Sequence, residues 1–215
     1  MTPEAILFDC DGVLVDSEPA AFALLAEDLA RAGLVLSHAE MEAQFLGGTI
    51  RGLHMKARAL GADLADDWPD DFYDRLYARL AEGTPLFDGV EALLDRLDKA
   101  GIAYAVGSNG APRKMEITLG QHPSVYARLR GVLFSGQEIG APKPAPDLYL
   151  TAARALGVDP ARCVVVEDSP TGVRAGRAAG MRCFGFAPNG NFARLEAEGA
   201  EPLRAMADLP ARIGI

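Results

Sequence analysis

Apolar and polar positions change rhythm three times along the chain. The opening run Ala5-Ile6-Leu7-Phe8 is uninterrupted and ends at Asp9, the pattern of a short strand buried on both faces. From about Pro19 to Ala81, apolar residues recur at helical spacing and no convincing strand pattern appears. Phe22, Leu25 and Leu29 mark a helix over 20–32 that Gly33 stops. Three further helices are predicted over 37–46, 50–60 and 67–81, separated by Gly47-Gly48 and by residues 61–66. Ser37 followed by Glu40 has the spacing of a capping box. Beyond Phe87, strands and helices alternate: helix 90–100, strands 103–107 and 132–134, helix 148–156, strand 163–166, helix 171–179, strand 183–186. Such alternation predicts an α/β fold, a Rossmann-like parallel sheet covered on both faces. The first strand precedes the helical block. The expected division is therefore a core of residues 1–15 and 87–215 and an all-helical insertion of residues 16–86.

The ends of the predicted strands carry the candidate chemistry, as expected where an open parallel sheet gathers functional groups at its carboxyl edge. The first strand ends in Asp9-Cys10-Asp11-Gly12 and the second in Ser108-Asn109-Gly110. A loop after the third holds Pro142-Lys143-Pro144, and the fourth ends in Glu167-Asp168-Ser169. Asp9 and Asp11 leave a strand two residues apart and so point the same way. Clustered carboxylates repel one another unless a cation is present; with Asp168 beside them, a hard divalent ion suits the set, and Mg²⁺ suits phosphate chemistry.

Each residue alone also has a plainer reading. Asp9 and Asp11 fit a solvated turn, Ser108 a helix cap, Lys143 a solvated loop, and Glu167-Asp168 an acidic helix start. The convergence of all of them on one sheet edge is what the plainer readings leave unexplained. A calcium loop of the EF-hand type does not fit Asp9 to Gly12, because Val13 and Leu14 stand where a third oxygen ligand and the glycine belong.

Composition narrows the partners. The formal net charge over 215 residues is −9, which disfavours nucleic acid and anionic membrane surfaces. No stretch is long and apolar enough for a membrane span, and Met1 to Asp11 lacks the basic start of a signal peptide. Cys10, Cys163 and Cys183 form neither a disulfide framework nor a zinc spacing, so the expected compartment is the cytoplasm. Oligomeric state leaves no trace in the sequence.

Together these segments resemble the haloacid dehalogenase-like hydrolase superfamily, in its phosphatase and β-phosphoglucomutase-like branch. Phe8 to Glu18 resembles the first family motif, Ser108 the second, Lys143 to Asp147 the third and Glu167-Asp168-Ser169 the fourth. The resemblance implies a Mg²⁺-dependent phosphatase of small phosphorylated metabolites, a sugar or sugar-acid phosphate, that works through a phospho-aspartyl intermediate. It implies Asp9 as nucleophile, Asp11 as general acid and base, and Asp9, the Asp11 backbone carbonyl, Asp168 and Glu167 around the metal. Ser108, Asn109 and Lys143 are implied to hold phosphate. The insertion 16–86 resembles the family's mobile cap, hinged at Asp16-Ser17 and at 84–88, with Arg51 and Lys56 as candidates for reading the substrate. The segments around Ser108, Lys114-Met115 and Leu133 to Gly136 resemble phosphatases of the 6-phosphogluconate type. The alternative is a phosphosugar mutase, against which Pro19 to Phe22 lacks the histidine those mutases carry after the hinge.

Overall fold

The computed structural model describes residues 2–45 and 49–215, so the expected helix end at Leu46 and the Gly47-Gly48 break lie outside the described residues. Six strands form one sheet: β1 (Ala5–Phe8), β2 (Ala103–Ser108), β3 (Leu133–Ser135), β4 (Cys163–Glu167), β5 (Arg182–Phe186) and β6 (Glu201–Leu203). Their order is β3-β2-β1-β4-β5-β6, with every pair parallel. The chain first builds outward from β1 through β2 to β3, then returns to the other side of β1 with β4. This reversal beside β1 is a topological switch point, where the loops diverge and leave a crevice at the strands' carboxyl ends.

Side-chain alternation along β1 explains the two layers of core. Ile6 and Phe8 pack with α5 (Val90–Ala100), α6 (Pro112–Leu119), α7 (Pro123–Leu129) and α12 (Leu209–Ile213). Ala5 and Leu7 face α9 (Asp147–Leu156), α10 (Pro170–Ala178) and α11 (Ala193–Glu196). Gly107 of β2 leaves room for Tyr149, fully buried on α9, since a Cβ there would stand 3.1 Å from the tyrosine ring. A further short helix, α8 (Gly136–Ile139), follows β3.

Between β1 and β2 lie α1 (Glu18–Arg31), α2 (His38–Phe45), α3 (Ile50–Ala59) and α4 (Trp68–Ala81), which share an apolar cluster of their own. The capping box at the start of α2 is formed: the Ser37 amide and hydroxyl donate to Glu40 at 2.8 and 2.6 Å, and the Glu40 amide returns a longer bond. Inside this cluster Asp28 is buried, and it accepts from Trp68 Nε1 at 2.7 Å and from both terminal nitrogens of Arg75 at 2.9 and 2.5 Å. The two chain crossings between helical block and core pair with each other. Val15 bridges Leu86, the Asp16 amide donates to the Pro85 carbonyl, and the Phe87 amide donates to the Leu14 carbonyl. No helix among the described residues is long and apolar enough to cross a membrane.

Candidate active site

Asp9 leaves the central strand β1 with its amide bonded to the Val166 carbonyl of β4, which fixes it opposite Glu167 and Asp168. The chain then turns at Gly12, where φ is +80° and a Cβ would stand 2.4 Å from Asp168 Oδ2. Only glycine meets both demands. Asp11, two residues beyond Asp9, lines the same cavity.

Lys143 is the hub. Its ammonium lies 2.5 Å from Asp9 Oδ1 and 2.5 Å from Glu167 Oε1, with its side chain only 3% exposed. Asn109 grips the backbone on both sides of this lysine: its Oδ1 accepts from the Lys143 amide at 2.8 Å and its Nδ2 donates to the Lys143 carbonyl at 3.2 Å. Ser108 Oγ accepts from the Gly110 amide at 2.9 Å and lines the cavity. Ser108 thus closes a local turn and faces the crevice at once.

Glu167 is fully enclosed by partners. Oε1 accepts from Lys143 and, at 2.7 Å, from the Tyr149 hydroxyl; Oε2 accepts from the Ser169 amide and hydroxyl at 3.2 and 3.0 Å. Ser169 Oγ also accepts from the Gly172 amide, the cap bond expected where α10 begins. The carboxylate fits there because Gly172 has no Cβ; one would lie 1.8 Å from Oε1.

The two aspartates of the first strand end sit in opposite fields. Burial pushes the Asp9 carboxyl up to about 7, with Lys143 opposing and Glu167 and Asp11 adding to the rise. Burial also works against charge on Asp11, but Lys114 Nζ at 2.8 Å and the Ser17 hydroxyl at 2.5 Å outweigh it and hold Asp11 below the usual carboxylate range. Asp168 is driven well up by burial and then by the neighbouring Asp9, Glu18 and Glu167. Burial disfavours the Lys143 ammonium, yet Asp9 and Glu167 raise its pKa. Cys10, between the aspartates, is buried with its thiol pushed well up by burial, so it is no nucleophile.

Asp9, Glu167 and Asp168 each offer an oxygen within 4.8 Å of the others, the one such group found among the described residues. Two of these carboxylates are pushed upward, and a divalent cation relieves that frustration, so the donor set fits a hard ion with oxygen ligands.

Three contributors to this arrangement carried no assigned role in the sequence: Lys114 on α6, Tyr149 on α9 and Ser17 as a donor to Asp11. Lys114 entered the sequence reading only through the resemblance of Lys114-Met115 to phosphatases of the 6-phosphogluconate type, with no role attached to it. Arg51 and Lys56, expected to read the substrate, lie outside the cavity lining in this structure. Arg51 is exposed and faces Asp70 at 3.4 Å, and Lys56 Nζ donates to the Gln44 carbonyl at 2.8 Å. On α3 it is Ile50 and Leu53 that turn inward, and Arg51 falls on the outer face by helical spacing.

A model of the haloacid dehalogenase-like hydrolase family matches residues 3–180. Hexitol phosphatase A of Escherichia coli is 36% identical over 183 residues, covering 84% of this chain and 81% of its own. The 6-phosphogluconate phosphatase of Escherichia coli is 32% identical over 185 residues, covering 85% and 82% respectively. Among solved structures, a conserved haloacid dehalogenase-like protein of unknown function from Agrobacterium tumefaciens superposes with a TM-score of 0.83 at 35% identity, covering 98% of this chain and 97% of that one.

Proposed function

Since the chain belongs to the haloacid dehalogenase-like hydrolase family and is an enzyme acting on phosphate monoesters, we propose that it hydrolyses a small phosphorylated metabolite through a phosphoryl group carried on Asp9. The observation that carries this reading is Lys143, buried between Asp9 and Glu167 and gripped along its backbone by Asn109. A cation so held can tether the attacking carboxylate and meet an incoming phosphoryl oxygen without further rearrangement.

Asp9 would attack phosphorus, forming the Asp9–phosphorus bond as the ester oxygen departs. Asp11 would protonate that oxygen and then take a proton from the water that cleaves the phospho-aspartate. Lys114 and Ser17 leave Asp11 ionised in the free enzyme, the form needed for the second step. The arriving phosphate dianion would raise its proton affinity for the first. Ser108, Asn109 and Lys143 would hold the transferring group. Asp9, Asp168 and the Asp11 carbonyl would hold Mg²⁺, with Glu167, its oxygens already taken, supporting Lys143 beside them. Mg²⁺ when bound supplies the positive charge that keeps a carboxylate with a pKa of about 7 ionised and screens the phosphate.

The helical block 16–86 would act as a cap over the crevice, moving on the paired crossings at Val15–Leu86 and closing off water. No histidine stands in Pro19 to Phe22, so water rather than a second sugar is the expected acceptor and free phosphate the product.

Two outcomes are expected. Chelator should abolish phosphate release from p-nitrophenyl phosphate and Mg²⁺ should restore it; equal rates in both would remove the metal from the scheme. Asp11→Asn should slow steady-state turnover by about 10²–10⁴-fold, the usual worth of general acid–base help. A rate within a few-fold of the unchanged protein would take that role from Asp11.

A further inference from the structure

The cavity over Asp9, about 150 Å³, has two unlike ends. The core supplies Asp9, Asp11, Ser108, Lys114, Lys143 and Asp168. The helical block supplies Phe22 and Leu25 from α1, Leu53 from α3, and Phe72 and Leu76 from α4, joined by Ile50; Thr49 and Tyr73 add two hydroxyls. Charge is distributed just as unevenly. Among the described residues two cations line the cavity, Lys114 and Lys143, and both already face carboxylates, Asp11 for the first and Asp9 with Glu167 for the second. Four carboxylates share the same space, those of Asp9, Asp11, Glu18 and Asp168. The basic residues of α3 nearest this end are turned away, Arg51 to Asp70 and Lys56 to the Gln44 carbonyl.

We propose that the alcohol part of the substrate is uncharged and lays an apolar face against Phe22, Ile50, Leu53 and Phe72, so that esters bearing a carboxylate on the leaving group are selected against. A second anion entering with the phosphate would leave water for an apolar wall and face Glu18, on which Arg194 acts from outside the cavity lining. An uncharged polyol or deoxygenated sugar loses far less, because Thr49, Tyr73 and Gln137 can take up a few hydroxyls while C–H faces meet the aromatic and aliphatic side chains. The 6-phosphogluconate type of substrate thus falls on the disfavoured side of this cavity.

The proposal rests on the phosphatase reading, and its test separates the two. Initial rates of phosphate release give kcat/KM for matched esters: sorbitol 6-phosphate against 6-phosphogluconate, and propyl phosphate against the phosphate ester of 3-hydroxypropanoate. p-Nitrophenyl phosphate serves as reference. The uncharged member should lead each pair by about tenfold or more, the scale at which an unpaired group in a binding site discriminates. Ile50→Lys puts a cation on the half-buried edge of the wall and should narrow that ratio by about tenfold, whereas Ile50→Met should leave it in place. A carboxylate ester cleaved as fast as its uncharged partner by the unchanged protein overturns the proposal, and so does hydrolysis of p-nitrophenyl phosphate with no uncharged alkyl ester accepted. No phosphate release from any of the five esters overturns the phosphatase reading instead.

Discussion

Asp9→Asn should reduce steady-state phosphate release to background while leaving the protein folded. The amide is nearly the same shape as the carboxylate, and its oxygen can still accept from Lys143 at the existing 2.5 Å position. What it lacks is the anionic oxygen that bonds to phosphorus, and an amide is a very poor substitute. Removal of a nucleophile from a preorganised site costs on the order of 10⁴–10⁶-fold, with the residue of activity coming from groups that still bind the transition state. The substitution also removes one buried negative charge whose pKa is already pushed up to about 7, so stability should not fall and is expected to rise slightly in metal-free buffer. Circular dichroism and a thermal melt check the fold; a phosphate-release assay checks the rate. Activity within tenfold of the unchanged protein would mean that another group attacks phosphorus.

The second large effect concerns Lys143→Met. Methionine fills a similar volume but leaves Asp9 and Glu167 facing each other without their shared cation. Taking one partner from a buried ion network costs about 3–5 kcal/mol. The loss should depend on pH in a defined sense. Without the lysine that opposes burial, Asp9 titrates above the value of about 7 that it has with it. A carboxyl whose folded-state pKa lies above its unfolded value favours folding at low pH, and that contribution is lost as pH rises through the folded pKa. Urea unfolding in chelator should therefore show a small deficit in mildly acid buffer that widens toward alkaline pH. A pH-independent deficit would point to lost packing rather than lost charge. Activity should vanish together with the phosphate-holding cation.

Much of this site was legible because its chemistry sits at strand ends. An apolar run that stops at an acid or a small hydroxyl marks both the strand and the edge, and β1, β2 and β4 each announce themselves in that way. Elements of the core with weaker patterns were less legible. β6 is three residues with Pro202 in the middle, a sequence that argues against a strand anywhere except a sheet edge, which is where it lies. The helices α6 and α7 are short and begin at prolines, so too few turns exist for a period to show.

Within the site, the long-range pairings were hidden for a different reason. Lys114 meets Asp11, and Tyr149 meets Glu167, only because helices after β2 and β3 return to the same crevice. No local spacing encodes that meeting. Arg51 and Lys56 stand on a helix whose Ile50 and Leu53 line the cavity, a facing that the positions of the charges in the sequence do not reveal.

The most direct test of the account is to catch the phosphoryl group where it is expected to rest. Protein mixed with excess substrate and Mg²⁺ is quenched in acid during steady-state turnover, digested, and searched by mass spectrometry for a peptide heavier by one phosphoryl group. The account predicts that the adduct lies on Asp9, disappears when substrate is exhausted, and is absent from Asp9→Asn. An adduct on another residue that forms and decays at the turnover rate would contradict it.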